Sequence, residues 1–231
     1  MKTFFLKKLY FHINKYLEEN KDKNDIRNGL PIPESAIIKQ SSIIGNVKVG
    51  EHTYIEGAHI HGPKVTIGDY TTLNPDSIAI HSDKAAVVIG KFCSIARKVD
   101  IQEWNHCSKR LTTSFFPPKT FGYNFLDYME TKGDIVIGND VWVGAQSLIL
   151  SGVTIGDGAI IGANTVVSKD VPPYAIAVGS PSKVVSYRFD EDVITKLLEI
   201  KWWDWDMSKL NKHKELFLKS NLTIDDLNGL S

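Results

Sequence analysis

From Ile137 to Val171 the chain reads IGNDVWVGAQSLILSGVTIGDGAIIGANTVVSKDV, with an aliphatic residue at 137, 143, 149, 155, 161 and 167 and no slip in the count. A period of six belongs to neither an α-helix nor an ordinary strand. The fifth residue of each six is Val141, Ser147, Val153, Ala159, Thr165 and Val171, all small or β-branched, and glycine follows the aliphatic in four of the six. This pattern predicts a hexapeptide β-helix, in which each six supplies a short strand and a corner and three sixes close one triangular coil. The aliphatic points inward and stacks on its counterparts 18 residues away. Successive coils then lie about 4.8 Å apart, and the core is a column of Ile and Val.

The same rhythm starts earlier, at Ile37, Ile43, Val49 and Ile55, falters at His61, and resumes at Ile67 and Leu73. His59 and His61 are misfits, and misfits in a repeat mark a bulge or an end. Residues 79–88 break the phase as a small irregular corner, after which Ile89, Ile95 and Ile101 restore it. Between 103 and 133 the repeat vanishes into a stretch rich in aromatics and proline, expected to be a long loop pushed out of a corner and, at that length, functional. Sixteen hexads predict about five coils and a rise of roughly 25 Å.

The expected organisation is an N-terminal helix and extended lead-in over 1–36, the β-helix over 37–185 with its loop insertion at 103–133, and a helical segment over 186–231. Leu6, Leu9, Ile13 and Leu17 stand at helical spacing within 4–19, and 20–28 reads as a polar linker. Asp190 is placed to cap a helix that puts Val193, Leu197 and Ile200 on one side, with Trp202, Trp203 and Trp205 at its end, and a second helix is expected from Ser208 to about Lys219. The fold class is thus all-β with helical appendages.

Lys and Arg number 27, as do Asp and Glu, so nothing favours a nucleic-acid groove, which needs a basic excess. Two cysteines, Cys93 and Cys107, are too few for a disulfide framework and read as reduced thiols of a cytoplasmic protein. Lysines interrupt the N-terminal apolar residues, and no run approaches the length of a membrane span. No metal-ligand cluster is expected. Among the seven histidines, His106 stands where the coil ends and the long loop begins, with Asn105 before it. A neutral imidazole there suits general-base work on an acceptor proton.

The runs IGKFCSIA (Ile89 to Ala96), Asn105-His106, GDIVIGNDVWVG (Gly133 to Gly144), the stretch from Val153 to Val185 and LLEIKWWDWD (Leu197 to Asp206) together resemble the hexapeptide-repeat acetyltransferases of the xenobiotic type. That group includes streptogramin and chloramphenicol acetyltransferases and relatives acting on sugars. The resemblance implies a left-handed parallel β-helix, a homotrimer, and acetyl-CoA as cosubstrate in the groove between neighbouring coils. It implies His106 as catalytic base and Trp142 as a wall near the acetyl group. Gly144 and Ala145 would meet the pantetheine arm, with a backbone N–H near Gly144 holding the oxyanion. Ala163, Ser168 and Lys169 would lie along the rest of the cofactor, with Lys183 or Arg188 at its phosphates.

His81, in the phase-breaking segment, resembles a histidine of the streptogramin enzymes and is expected to contact the acceptor. Asn105, Tyr54 and Trp104 complete the expected acceptor site. The approach to Asn105-His106 is shorter than in the drug-modifying enzymes, and the lead-in before the first hexad is longer. The expected reaction is acetyl transfer to a hydroxyl of a saccharide by direct attack. The alternatives are N-acetylation of a nucleotide-linked amino sugar and O-acetylation of an antibiotic.

Overall fold

The computed structural model describes residues 23–230. The helix expected over 4–19 lies outside them. One face of the molecule is an eight-stranded sheet whose last member, Lys183–Tyr187, is antiparallel. The other seven are parallel rungs: Ile37–Lys39, Tyr54–Glu56, Thr72–Leu73, Ser94–Ile95, Trp142–Val143, Ile160–Ile161 and Ala175–Val178. Seven rungs are about two coils more than the five predicted from the hexad count. A second face carries Asp25–Asn28, the first half of Ser42–Val49, the first half of Ala58–Ile67, then Ile78–His81, Asp100–Gln102, Leu148–Leu150 and Val166–Val167. The third takes the second halves of the two long strands, then Val87–Ile89, Ile135–Ile137 and Thr154–Ile155.

The inward column is Ile43, Ile55, Ile67, Leu73, Ile89, Ile95, Ile101, Ile137, Val143, Ile149, Ile155, Ile161 and Val167, each at most 1% exposed. The small fifth residues are buried as well, because they turn inward at the corners where a larger side chain would not fit. Their hydroxyls are satisfied locally. Thr71 Oγ1 donates to the carbonyl of Gly90 at 2.7 Å and Ser147 Oγ to that of Gly162 at 3.0 Å.

The phase is less regular at the N-terminal end than the sequence suggests. Ile38 pairs with Ile55 and faces the core, while Ile37 is 50% exposed. At the faltering hexad Ile60 takes the inward place expected of position 61 and pairs with Ile43, and the bulge lies between Gly45 and Val47. Residues 25–28, read as linker, form a strand in register with Ser42–Gly45. No aliphatic hexad announces that strand, because the end coil has a neighbour on one side only.

Ile95 pairs with Val143 and Ile101 with Ile149, steps of 48 residues. One 18-residue coil leaves 30 for the excursion, so the loop interrupts a single corner and the next coil resumes directly on the last. It is closed at its root by an antiparallel pair, Asn105–His106 with Met129–Glu130, and carries helix α1 (Phe116–Phe121) and a 3₁₀ turn at Phe125–Tyr128.

Left-handed residues turn the corner between the third and first faces. His52, Tyr70, Phe92, Asp140 and Tyr174 have φ between 55° and 58°, and Gly158 has 69°. The rings form a ladder: His52 to Tyr70 at 4.8 Å, Tyr70 to Phe92 at 5.0 Å, and Phe92 to Trp202 at 4.9 Å. That last contact, with Lys91 Nζ to Asp204 Oδ1 at 2.9 Å, seats the C-terminal segment on the coil. Helix α2 (Glu191–Ile200) buries Val193, Leu197 and Ile200. The second expected helix is shorter than predicted: α3 (Met207–Lys212) ends at His213 and a 3₁₀ stretch, Lys214–Leu218, follows. A four-residue α4, Ile224–Leu227, closes the chain. No helix among the described residues is long and apolar enough to cross a membrane.

Candidate functional site

The root of the loop sets the position of His106. In a two-stranded antiparallel pair the side chains of 105 and 106 point to opposite sides, which separates the roles of Asn105 and His106. Asn105 Nδ2 donates to Ser151 Oγ at 3.4 Å, and the same oxygen accepts the N–H of Lys132 at 3.3 Å. Asn105 is exposed, with its amide nitrogen turned toward the coil corner. His106 is exposed, with its ring 4.6 Å from Phe115 and 6.0 Å from Trp104. Its Nδ1 lies 2.6 Å from the carbonyl oxygen of Thr113. A carbonyl only accepts, so Nδ1 carries the proton and the lone pair of the neutral ring stands on Nε2. This tautomer follows from the bond geometry. Thr113 went unnoticed in the sequence, since a backbone carbonyl leaves no signature in residue type.

Trp142 stands outward on the first face between Ser94 and Ile160 and is 53% exposed, a broad apolar ring. Gly144 is buried at the next corner, where a Cβ would lie 2.5 Å from the backbone nitrogen of Ala163. Its N–H donates to Ile161 at 2.7 Å. That N–H of Gly144 itself is spent on the parallel ladder, and its absent side chain serves coil stacking. Ala145 is half-buried and Ala163 exposed at this same corner. Half-buried Ser168 and exposed Lys169 occupy the following corner, and Lys183 is exposed on the terminal antiparallel strand.

Arg188 Nη1 donates to Asp140 Oδ2 at 2.8 Å and to the carbonyl of Gly158 at 2.7 Å, and its guanidinium lies 5.3 Å from the centre of the Tyr174 ring. A Cβ on residue 158 would meet that ring at 2.3 Å, so glycine makes room for it. Burial pushes the Asp140 carboxyl above its ordinary value, with Arg188 pulling it back. Arg188 thus pairs with a half-buried acid through Nη1.

Tyr54 is not brought to His106 within the chain. It lies on the first face three rungs from Trp142, with its hydroxyl on Glu56 and Lys39 over its ring. His81 is half-buried on the second face, one rung from Gln102, whose Nε2 donates to the carbonyl of Trp104 at 3.0 Å. Burial raises the Asp100 carboxyl beside it and His81 draws it back down. Cys107 is a free thiol buried against the loop. No group of three or more potential metal ligands is present among the described residues.

Comparison with known proteins gives a consistent set. The model for the bacterial transferase hexapeptide (six repeats) matches residues 134–169. A chloramphenicol acetyltransferase of Morganella morganii is 37% identical over 187 residues, 77% of this chain and 84% of that protein. A probable macrolide acetyltransferase of Lysinibacillus sphaericus is 40% identical over 149 residues, 61% of this chain and 81% of that protein. Among solved structures, AntD, an N-acyltransferase from Bacillus cereus crystallised with dTDP and 3-hydroxybutyryl-CoA, matches with a TM-score of 0.59 at 20% identity. The match covers 83% of this chain and 97% of that one, and shows a shared fold.

Proposed function

Since the chain belongs to the hexapeptide-repeat acetyltransferases of the xenobiotic type, we propose that it moves an acetyl group from acetyl-CoA to a hydroxyl of a saccharide, with His106 as general base. The observation that carries this reading is the bond from His106 Nδ1–H to Thr113, which leaves Nε2 free to accept a proton. The acceptor O–H gives its proton to Nε2 as its oxygen attacks the thioester carbonyl and a C–O bond forms. The C–S bond then breaks, and the imidazolium returns the proton to the departing thiolate. No acyl-enzyme is needed. Alignment of the two substrates supplies a large share of the rate.

The residues present suit acetyl-CoA as substrate. Trp142 offers an exposed apolar face, and Lys169 and Lys183 are exposed cations of the kind that reach phosphates. Acetyl-CoA also favours a cytoplasmic setting. His106 is rooted at the corner of Ser151, between the second and third faces, whereas Trp142 stands on the first. A site that uses both draws on two chains, which supports a homotrimer with shared grooves.

For the acceptor, the loop sets Trp104, Phe115, Tyr123 and Tyr128 beside Arg110, Asn124 and Asp127, a mixture of ring faces and hydrogen-bonding groups that suits a sugar. A second reading, an antibiotic hydroxyl, is favoured by the identity to a chloramphenicol acetyltransferase. The test is CoA release from acetyl-CoA with oligosaccharides, amino-sugar nucleotides, chloramphenicol and a streptogramin A compound. Turnover confined to the antibiotics sinks the saccharide reading. Turnover confined to amino sugars changes the product from ester to amide.

A further inference from the structure

The corner at 82–86, which breaks the six-residue phase, is bonded to both arms of the His106 loop. On the entering arm Glu103 is wholly buried, and its Oε1 accepts the N–H of Asp83 at 2.6 Å and of Lys84 at 2.5 Å. Its Oε2 is buried with no partner among the described residues. On the returning arm Lys84 Nζ donates to the carbonyl of Met129 at 2.9 Å, and Met129 is the residue opposite His106 in the antiparallel pair. Where the loop rejoins the coil, the N–H of Ala86 donates to Asp134 Oδ1 at 2.7 Å. The corner is thus a strap across the root of the loop.

Turning a coil does not require any of this. Other corners of the same helix turn on a Gly-Asp or Gly-Asn step whose side-chain oxygen accepts an N–H of the adjacent coil, as Asp157 Oδ1 does from Asn139 at 2.7 Å. A buried carboxyl with an unsatisfied oxygen is costly, and groups retained at such cost mark places where one conformation has to be enforced. What lies within reach here is the two-residue ladder that carries the base. A ladder of two residues has little stability of its own.

We propose that Glu103 and Lys84 are positioning residues for the acetyl transfer, fixing the loop root so that His106 Nε2 meets the acceptor hydroxyl. The proposal rests on His106 being the base. A displacement of about 1 Å at a reacting group lowers turnover by up to about 100-fold while leaving distant binding contacts intact. The strap touches none of the residues assigned to acetyl-CoA.

The experiment compares Lys84→Met, Glu103→Gln, Glu103→Ala and His106→Ala by kcat, by KM for acetyl-CoA, by Tm, and by nitrogen NMR of the His106 ring, with the best acceptor of the panel above. Lys84→Met removes only an exposed amine and is expected to fold. It should lower kcat about tenfold with KM for acetyl-CoA within about twofold of the parent, and should reduce the Nδ1–H form of His106. Glu103→Gln retains an acceptor for both N–H groups and should keep most of the rate, whereas Glu103→Ala should lose it. Unchanged kcat and ring signals in Lys84→Met overturn the proposal, whether or not Glu103→Ala folds. So does a loss of kcat that merely follows the loss of folded protein. Full activity in His106→Ala overturns the assignment of the base instead, and the ring signals of the other variants still report on the strap.

Discussion

An imidazole that donates from Nδ1 to a carbonyl presents its basic lone pair on Nε2, and returning the proton to the thiolate would restore it after each turnover. Replacing His106 by alanine should therefore lower kcat by on the order of 10² to 10⁴ while leaving folding intact, as followed by thiol release and circular dichroism. The histidine was legible because it follows an asparagine at the point where the hexads stop; Thr113 was not, because any residue supplies a carbonyl. Glu103 was hidden for another reason, being one of 27 acidic residues whose burial only the folded corner reveals. Cys93 is a residue-scale case with a pH consequence. Burial pushes its thiol up to about 12, while its Sγ–H donates to the carbonyl of Gly138 at 3.0 Å. Because the folded value is raised, the contribution to stability is complete below the ordinary thiol range and falls as pH climbs toward about 12, the unfolded chain ionising first. Urea unfolding between about pH 8 and 11 should show a decline that Cys93→Ala flattens, and iodoacetamide at pH 8 should leave Cys93 unmodified until the protein is denatured.

At the scale of elements, the sequence shows the coil wherever neighbours on both sides demand an aliphatic residue, and loses it where that demand lapses. Residues 134–171 keep strict sixes where rungs such as Trp142–Val143 and Leu148–Leu150 are sandwiched between two others, whereas Asp25–Asn28 has one neighbour and no hexad. The slip from position 61 to Ile60 is equally physical, since the bulge at Gly45 shortens one coil and the next inward side chain moves with it. The loop could be bounded from the sequence, but its antiparallel root could not, as two residues carry no period. A cation near a coil end such as Arg188 suits a phosphate as well as it suits a half-buried acid. Its bonds to Asp140 and Gly158 favour the structural role and make a prediction. Arg188→Ala leaves the Asp140 carboxyl without its partner and loosens the seat of α2, at a cost on the order of 3 kcal/mol in urea unfolding. KM for acetyl-CoA should stay within about twofold of the parent, and a tenfold rise with unchanged stability would return Arg188 to the cofactor site.

Across the whole molecule the three faces keep the two best-supported site residues apart. The loop springs from the corner marked by Ser151, and a triangular coil sets that corner opposite the face on which Trp142 stands. Parallel rungs are stiff, so neither residue crosses the coil to reach the other, and a groove lined by both joins the loop of one chain to the first face of a neighbour. In the homotrimer proposed above, closed threefold symmetry would give three identical grooves, each with one chain's His106 and the next chain's Trp142. This arrangement has an arithmetical consequence. His106→Ala and Trp142→Ala chains should each be weak alone, yet when unfolded together in equal amounts and refolded, a groove is whole whenever a chain with His106 precedes one with Trp142. That occurs in about one quarter of the grooves for random assembly, so the mixture should recover about one quarter of parental kcat. Light scattering should give three chains per particle for both variants and for the mixture. Recovery no greater than the average of the two variants, with the assembly intact, would put His106 and Trp142 in one chain's site or remove Trp142 from it.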